Sequence, residues 1–512
     1  MESMAKTHTD CNSNELEPTL NDRKAYVERA ARQGVAVQEV EAGMWHRVLH
    51  LGHQALGLLL SRIGPGDMGE TVVLPEGQEV RRLERSHPRV SQSVCGRFEV
   101  ERVVYGAREG QKIAYVPFDT QLELPESHFS SRLQDWAQSF AVENTYRRVP
   151  EALGRLLDVH PSVDSLERMN QKRAETVRPF RESRPAPEPE QEGALCVVSA
   201  DGKGIPIRRA TPEAPIQGHD PEQEAKTNRK KMAVVGTVYT IEPFIRTPEE
   251  VVASLFRSPD DDPLPSERPV PKHTRLWASL PHEQDGEEVS ATEVTFNWLA
   301  QEVARRHPEA GKAIVLLMDG QKSLWEAGQR VLPQVSTIEI LDLLHATPRI
   351  WDAAHLFYGR DEEQTLNFVY DRVLRILQGE VRSVVAGLRQ MGTKRTLRGK
   401  KREKLAKLCG YLENNAHRMR YDAYLAAGYP IASGVIEGAC RHCVKDRMER
   451  SGMRWRIESA QAMLAVRSIY LNGDWDDFMT YRIEEETQRL YPYREFVEPI
   501  DTLEEVGLPF AA

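Results

Sequence analysis

ALCVVSADGKGIPI, residues 194–207, and AIVLLMDGQKSLW, residues 313–325, decide how this chain is built. Each opens with a short apolar run and reaches an Asp followed at once by Gly, the pattern of a buried strand running into a turn. Asp201 and Asp319 are therefore expected at the C-terminal edges of strands, where open α/β sheets bind their ligands. A third acid follows in IASGVIEGACRHCVKDRMERSGMRW, residues 431–455. Its helical spacing sets Glu437, Arg441 and Lys445 at i, i+4 and i+8, so a carboxylate and two cations share one face.

Each feature has an ordinary explanation. An Asp-Gly pair usually serves a turn, and Glu437 close behind Ser433-Gly434 could be a first-turn acid favoured by the helix dipole. Taken together the three acids suggest more. Carboxylates brought together repel, and burial raises their pKa values unless a cation neutralises them. Oxygen donors without accompanying Cys or His favour Mg²⁺, with Mn²⁺ as its substitute. Two such ions about 3.5–4 Å apart can clamp the attacking and leaving oxygens of a phosphodiester displacement. The reaction class this implies is phosphoryl transfer on nucleic acid, with Asp201, Asp319 and Glu437 as catalytic residues and metal ligands.

The wording around these acids resembles a known family. DGKGIPIRR, KKMAVVGTVYTIEPFIRTPEEVV, HTRLWASL, LLMDGQKSLW and SGVIEGACRHCVKDRMERSGMRW, in that order between Gly193 and Tyr481, are similar to the ISKra insertion-sequence transposases. The resemblance implies a DDE enzyme with an RNase H-like α/β catalytic core and an α-helical insertion ahead of the last acid. Asp201, Asp319 and Glu437 would fill its three acidic positions. It also implies DNA partners, namely the element's terminal repeats and the target, and a homo-oligomer that holds two ends in a synaptic complex. In the more distant Mutator-like transposases a Cys/Asp-x-x-His element follows the second Asp, and Asp342-Leu-Leu-His345 stands at the matching place, giving His345 a DNA-orienting or metal-ligating role. Two rivals remain open, a domesticated DNA-binding regulator without chemistry and an RNase H-like nuclease.

The whole-chain charge of −9 and pI near 6.0 are awkward for a DNA-binding protein, because Lys and Arg supply most phosphate affinity. Distribution answers this in part. Lys394–Leu408, KRTLRGKKREKLAKL, holds eight basic residues against one acid, making Lys400, Lys401 and Arg402 DNA-contact candidates beside Arg441 and Lys445. A solvated helix face is the plain alternative for all of them. Cys440 and Cys443 flank His442, but with no second Cys pair they read as buried small residues rather than zinc ligands. Trp325 and Trp455 read as core. Six cysteines in 512 residues fit a reducing compartment, and with no apolar run of membrane length the expected location is cytoplasmic.

Length calls for several domains. Residues 1–20 read as a disordered tail, 21–176 as a mainly helical DNA-binding region with a small β-hairpin, and 177–193 as a Pro/Glu-rich linker. The hairpin is expected within Gly96–Val116, turning at Gly106–Gly110, and the helices of Phe129–Arg168 are similar to a helix-turn-helix arrangement. Residues 194–346 are the first part of the catalytic core, 347–430 the helical insertion, and 431–512 the last part of the core with closing helices.

Overall fold

The computed structural model describes residues 16–108, 112–208, 230–257, 268–284, 286–306, 311–333, 335–359, 361–450 and 452–494. Most of the expected tail, 1–15, therefore lies outside the described residues. The chain divides into two compact units, Met1–Thr176 with Trp475–Ala512, and Val177–Asp474.

In the first unit, helices α1 (Leu16–Gln33) and α2 (Val37–Ile63) precede five short strands, β1 (Thr71–Val73), β2 (Glu79–Arg82), β3 (His87–Ser93), β4 (Gly96–Arg102) and β5 (Tyr105–Gly106). The hairpin lies earlier than the sequence suggested. β3 and β4 pair from His87↔Arg102 to Ser93↔Gly96, so the chain turns at Val94-Cys95, while β5 joins β2 in a separate three-stranded sheet. HPRVSQS is too polar to announce itself as a strand. Gly96, at φ +117°, supplies the conformation that the turn needs. Helices α3 (Pro117–Gln121), α4 (Ser131–Glu143), α5 (Arg148–Leu157) and α6 (Val163–Ser183) follow. Leu133, Ala137, Val149, Leu153, Leu157 and Leu166 form an apolar centre at helical spacing. α6 continues through Pro179 into the stretch read as linker, because Phe180 is buried and Arg181 lies 3.7 Å over the Trp277 ring.

The second unit is built on one five-stranded mixed sheet. Its strands are β6 (Leu195–Pro206), β7 (Lys230–Ile241), β8 (Lys272–Ser279), β11 (Ala313–Met318) and β12 (Thr337–Leu341); β9 (His282–Gln284) and β10 (Glu287–Val289) form a side hairpin. The order is β12-β11-β6-β7-β8, with β6, β7 and β8 pairing antiparallel in succession and β6, β11 and β12 parallel. β11 is wholly apolar, as a parallel strand covered on both faces must be, while the edge strand β12 carries Thr337 and Glu339. Helix α7 (Pro248–Leu255) starts at a capping box between Thr247 and Glu250. Helix α8 (Ala291–Arg306) packs on β7 at Gly236, where a Cβ would come within 2.7 Å of Thr295.

Helix α9 (Lys322–Val331) returns the chain from β11 to β12. Five helices then run without a strand: α10 (Leu343–Tyr358), α11 (Glu362–Leu377), α12 (Val381–Lys394), α13 (Gly399–Asn414) and α14 (Tyr421–Ala426). The insertion closes back on the sheet, where Leu343 N donates to Ile431 O at 2.9 Å and Tyr421 Oη to Leu341 O at 2.7 Å. Beyond it come α15 (Gly434–Ala439), a π-helical segment Cys440–Lys445, α16 (Asp446–Met448), the buried α17 (Ile457–Leu471) and α18 (Trp475–Leu490). No helix of the described residues is long and apolar enough to cross a membrane.

Candidate active site

Strand register aligns three carboxylates. In the parallel ladders Leu316 faces Val198 and Met318 faces Leu341. Continuing each register by one to three residues sets Asp201, Asp319 and Asp342 at one level on β6, β11 and the end of β12. Neighbouring strands lie roughly 4.8 Å apart. The sequence carried this signal, since LCVVSAD, AIVLLMD and TIEILD are each an apolar run reaching Asp. What it hid was that Asp201 is not at a strand end. β6 runs on to Pro206, because antiparallel β7 continues pairing to Pro206↔Lys230 after β11 has turned away. Asp201 thus stands where the sheet splays.

Local bonds hold the row. Asp201 Oδ1 accepts from Gly202 N at 2.7 Å, and Asp319 Oδ1 accepts from Gln321 N at 2.9 Å in a tight Asx turn. The backbone oxygen of Asp319 accepts from Trp325 Nε1 at 2.7 Å, so Trp325 is core as expected and also pins the loop. Above the loop the Tyr411 ring of α13 packs so closely on Gly320 that a Cβ there would overlap it. Burial pushes the Asp319 carboxyl above the ordinary carboxylate range. The Gln321 N–H and the His345 imidazole hold it down, while the neighbouring Asp201 and Asp342 carboxylates push it further up.

Asp342 has a different task from its two neighbours. It is buried, and as N-cap of α10 it accepts from Leu344 N at 2.8 Å and from Ser433 N at 3.3 Å. Ser433 in turn caps α15, the short helix that bears Glu437. His345 Nδ1 lies 3.5 Å from Asp342 Oδ2, too far for a well-made hydrogen bond, and Nδ1 is buried without one. The nearby Asp342 side chain raises the His345 imidazole above its ordinary value; burial opposes this, and the charges of Asp342, Asp319 and Asp201 add to the rise.

Glu437 itself is exposed, one helical turn before Cys440, whose Sγ lies 3.5 Å from Asp201 Oδ2. Burial, then the Asp201 carboxylate, push the Cys440 thiol well up, so it is held as a neutral thiol. The continuous face expected for Glu437, Arg441 and Lys445 is interrupted. From Cys440 the backbone opens into a π turn that buries Cys440, Cys443 and Val444 and re-phases the residues after Glu437. Arg441 is exposed there, with its Nε 3.8 Å from Asp446 Oδ1. Lys400, Lys401 and Arg402 are exposed in the first turn of α13.

The hard oxygens of Asp201 and Asp319, on adjacent strands and mutually repelling, fit a divalent cation whose charge relieves that repulsion. Glu437 is not gathered with them. Among the described residues no group of three or more His, Cys, Asp or Glu is arranged to hold a metal ion. Sequence reasoning gave no role to Tyr411 or Cys440 at this edge, and no local pattern in the chain announces either contact.

Comparison with protein-family models gives no match, and comparison with curated proteins gives none either. Among solved structures the chain is similar to one titled "Drosophila P element transposase strand transfer complex". The identity is 10% and the TM-score 0.24, over 72% of this chain and 85% of that one. A likeness of that size is too weak to argue from.

Proposed function

We propose that this chain is a DDE transposase, cutting DNA at insertion-sequence ends and joining the freed 3′ hydroxyl to target DNA. The observation that carries the reading is the parallel pairing of β6 with β11, which, carried three residues past its last pair Val198↔Leu316, brings Asp201 level with Asp319 at one edge of the mixed sheet. The sheet order supports an RNase H-like core, since three antiparallel strands in chain order are followed by two parallel ones added beside the first. The long helical stretch before Glu437 fits the expected insertion.

In this reading Asp201, Asp319 and Glu437 hold divalent metal, two Mg²⁺ or Mn²⁺, which supplies Lewis-acid stabilisation of the phosphodiester and lowers the pKa of bound water. Asp201 and Asp319 sit on paired strands and keep a fixed separation. Glu437, exposed on a six-residue helix, would supply the third carboxylate. Asp342 orients α15 through Ser433, and His345 sets charge balance beside the acids and faces DNA. Arg441, Lys445, Lys400, Lys401 and Arg402 contact phosphates without reading sequence. The helical region 21–176 is assigned to end recognition, and synapsis of two ends calls for a homo-oligomer.

The exposed position of Glu437 favours the rival of a DNA-binding regulator that has lost chemistry. Purified protein, labelled element-end DNA and Mg²⁺ separate the two. Metal-dependent nicking and joining, lost in Asp201→Asn, Asp319→Asn and Glu437→Gln, is the expected result; tight DNA binding without any cleavage at either metal would overturn the enzyme assignment. Nicking without joining would leave an RNase H-like nuclease.

A further inference from the structure

The helical insertion carries a cationic cleft of about 480 Å³ that the acid row does not account for. It opens between the end of α12 and the start of α13, and Arg389, Thr393, Thr396, Arg398 and Arg402 give it its polar lining. Arg389 is neutralised by a two-pronged bond to Glu413. Arg398 and Arg402 have no acidic partner among the described residues, nor do exposed Lys400 and Lys401 beside them. The contrast with Lys404, held 2.8 Å from Asp352 on the same helix, is direct. Four cations within five residues and without counter-charge are stabilised only by water and salt, so a polyanion that releases that salt gains affinity.

The cleft is tied to the acids by one rigid element. α13 runs unbroken from Gly399 to Asn414, and its Tyr411 is the ring lying on Gly320, next to Asp319. Nine residues separate Arg402 from Tyr411. At 1.5 Å per residue that is about 14 Å along the helix axis. That is about two and a half turns, so the cleft and the Tyr411 contact use opposite faces of the same helix.

We propose that this cleft is a second DNA-backbone site, gripping the strand away from the phosphodiester presented at Asp319. The inference rests on the reading that the chain acts on DNA, and it adds a contact that positions the strand rather than a catalytic group. Arg398 and Arg402 neutralise phosphates, and the two threonine hydroxyls complete a polar wall that makes no base contact.

The test is the salt dependence of binding by full-length protein without divalent metal, read by fluorescence anisotropy on a labelled duplex between low and moderate salt. Arg398→Ala/Arg402→Ala is expected to weaken binding at least tenfold at the lower salt and to flatten the slope of log affinity against log salt by about two, one for each phosphate no longer neutralised. The weakening is expected to be the same for different DNA sequences. Arg389→Ala, already paired, moves the slope by less than half of that, and matched thermal unfolding of all variants certifies the fold. An unchanged slope in the double variant, with wild type binding DNA, overturns the cleft and leaves the transposase reading intact. Wild type that binds no DNA overturns both, and wild type whose Arg-dependent slope is confined to duplex RNA overturns the DNA assignment of the cleft. Footprinting with a backbone-cleavage reagent separates the two sites: protection that disappears in the double variant away from the nick is expected, and disappearance only at the nick itself contradicts a second site.

Discussion

The sheet and the helical insertion hold their charged groups by opposite means. Asp201 is fixed by its pairing with Val235, Asp319 and the buried Asp342 stand one residue past paired strands, and Asp319 pays for its position among these acids in a raised carboxyl. Lys400, Lys401 and Arg402, in the first turn of α13, are exposed and have no acidic partner among the described residues. The difference teaches what each set is suited to. Charges locked in register orient a reaction to fractions of an ångström, whereas solvated charges attract a polyanion over a Debye length and give little geometry.

The largest expected break falls on the locked set. Asp201→Asn keeps size and backbone while removing the charge that, in the proposed reading, holds the metal, so the cleavage rate should fall about a thousandfold or more, the several kcal/mol such a group contributes. DNA affinity without metal should hardly change. The solvated set should behave in reverse, with Lys400→Ala/Lys401→Ala weakening affinity severalfold and making the single-turnover rate at saturating DNA no slower than half. Quench-flow rates and binding isotherms on the same preparations decide this, and equal effects on both quantities in both variants would erase the distinction.

The two regions touch at Gly320, which makes it the next point of attack. Gly320→Ala drives a methyl into the Tyr411 ring, so either the loop of Asp319 or α13 must move. Overpacking of this kind costs about 1–3 kcal/mol. Urea unfolding should register that destabilisation, and Tyr411→Ala in the same chain should recover part of it by vacating the space.

A subtler difference lies in pH. Asp319 has a raised folded-state carboxyl, so the folded protein binds its proton more readily than the unfolded chain does. Its contribution to stability is fully present below the unfolded value and is lost as pH rises through the folded one. At neutral pH without metal the ionised Asp319 is therefore a liability, and Asp319→Asn should unfold at higher temperature than wild type, the gap closing in acid. Mg²⁺ should reverse the order by stabilising wild type alone. Calorimetry at two pH values with and without metal reads all four cases.

How much of this was legible depends on whether a feature is local. β11 lies over the same six residues that its apolar run marks. KHTRLWAS gives no strand signal of its own, because its first half is polar and only pairing with β7 makes it extended as β8. Asp201 looked like a strand terminus because Gly202 and Gly204 suggest a turn; β7 overrides them, and the glycines instead leave room for the side chains of Met232 and Lys230 across the pair. The π segment was invisible because nothing in ACRHCVK departs from helical spacing, and it follows from what the sheet asks the segment to bury.

The smallest expected effect tests whether the insertion's cations need a strained backbone. Thr396 sits at φ +50° just past the end of α12, with its N–H donating to Thr393 O and that of Leu397 to Gly392 O, a helix ending that usually employs Gly. A β-branched residue in the left-handed region costs about 1–2 kcal/mol, and Gly recovers this less roughly 0.5–1 kcal/mol of unfolded-chain entropy. Thr396→Gly should therefore stabilise the protein by about 0.5–1 kcal/mol, seen as a higher urea midpoint at unchanged slope. Because the backbone path to Arg398 and Arg402 is kept, the salt slope of DNA binding should stay within error of wild type. A stabilised variant with a flattened slope would mean that the cations are held in geometry after all, by the turn that presents them, and the insertion would then resemble the sheet more than it differs from it.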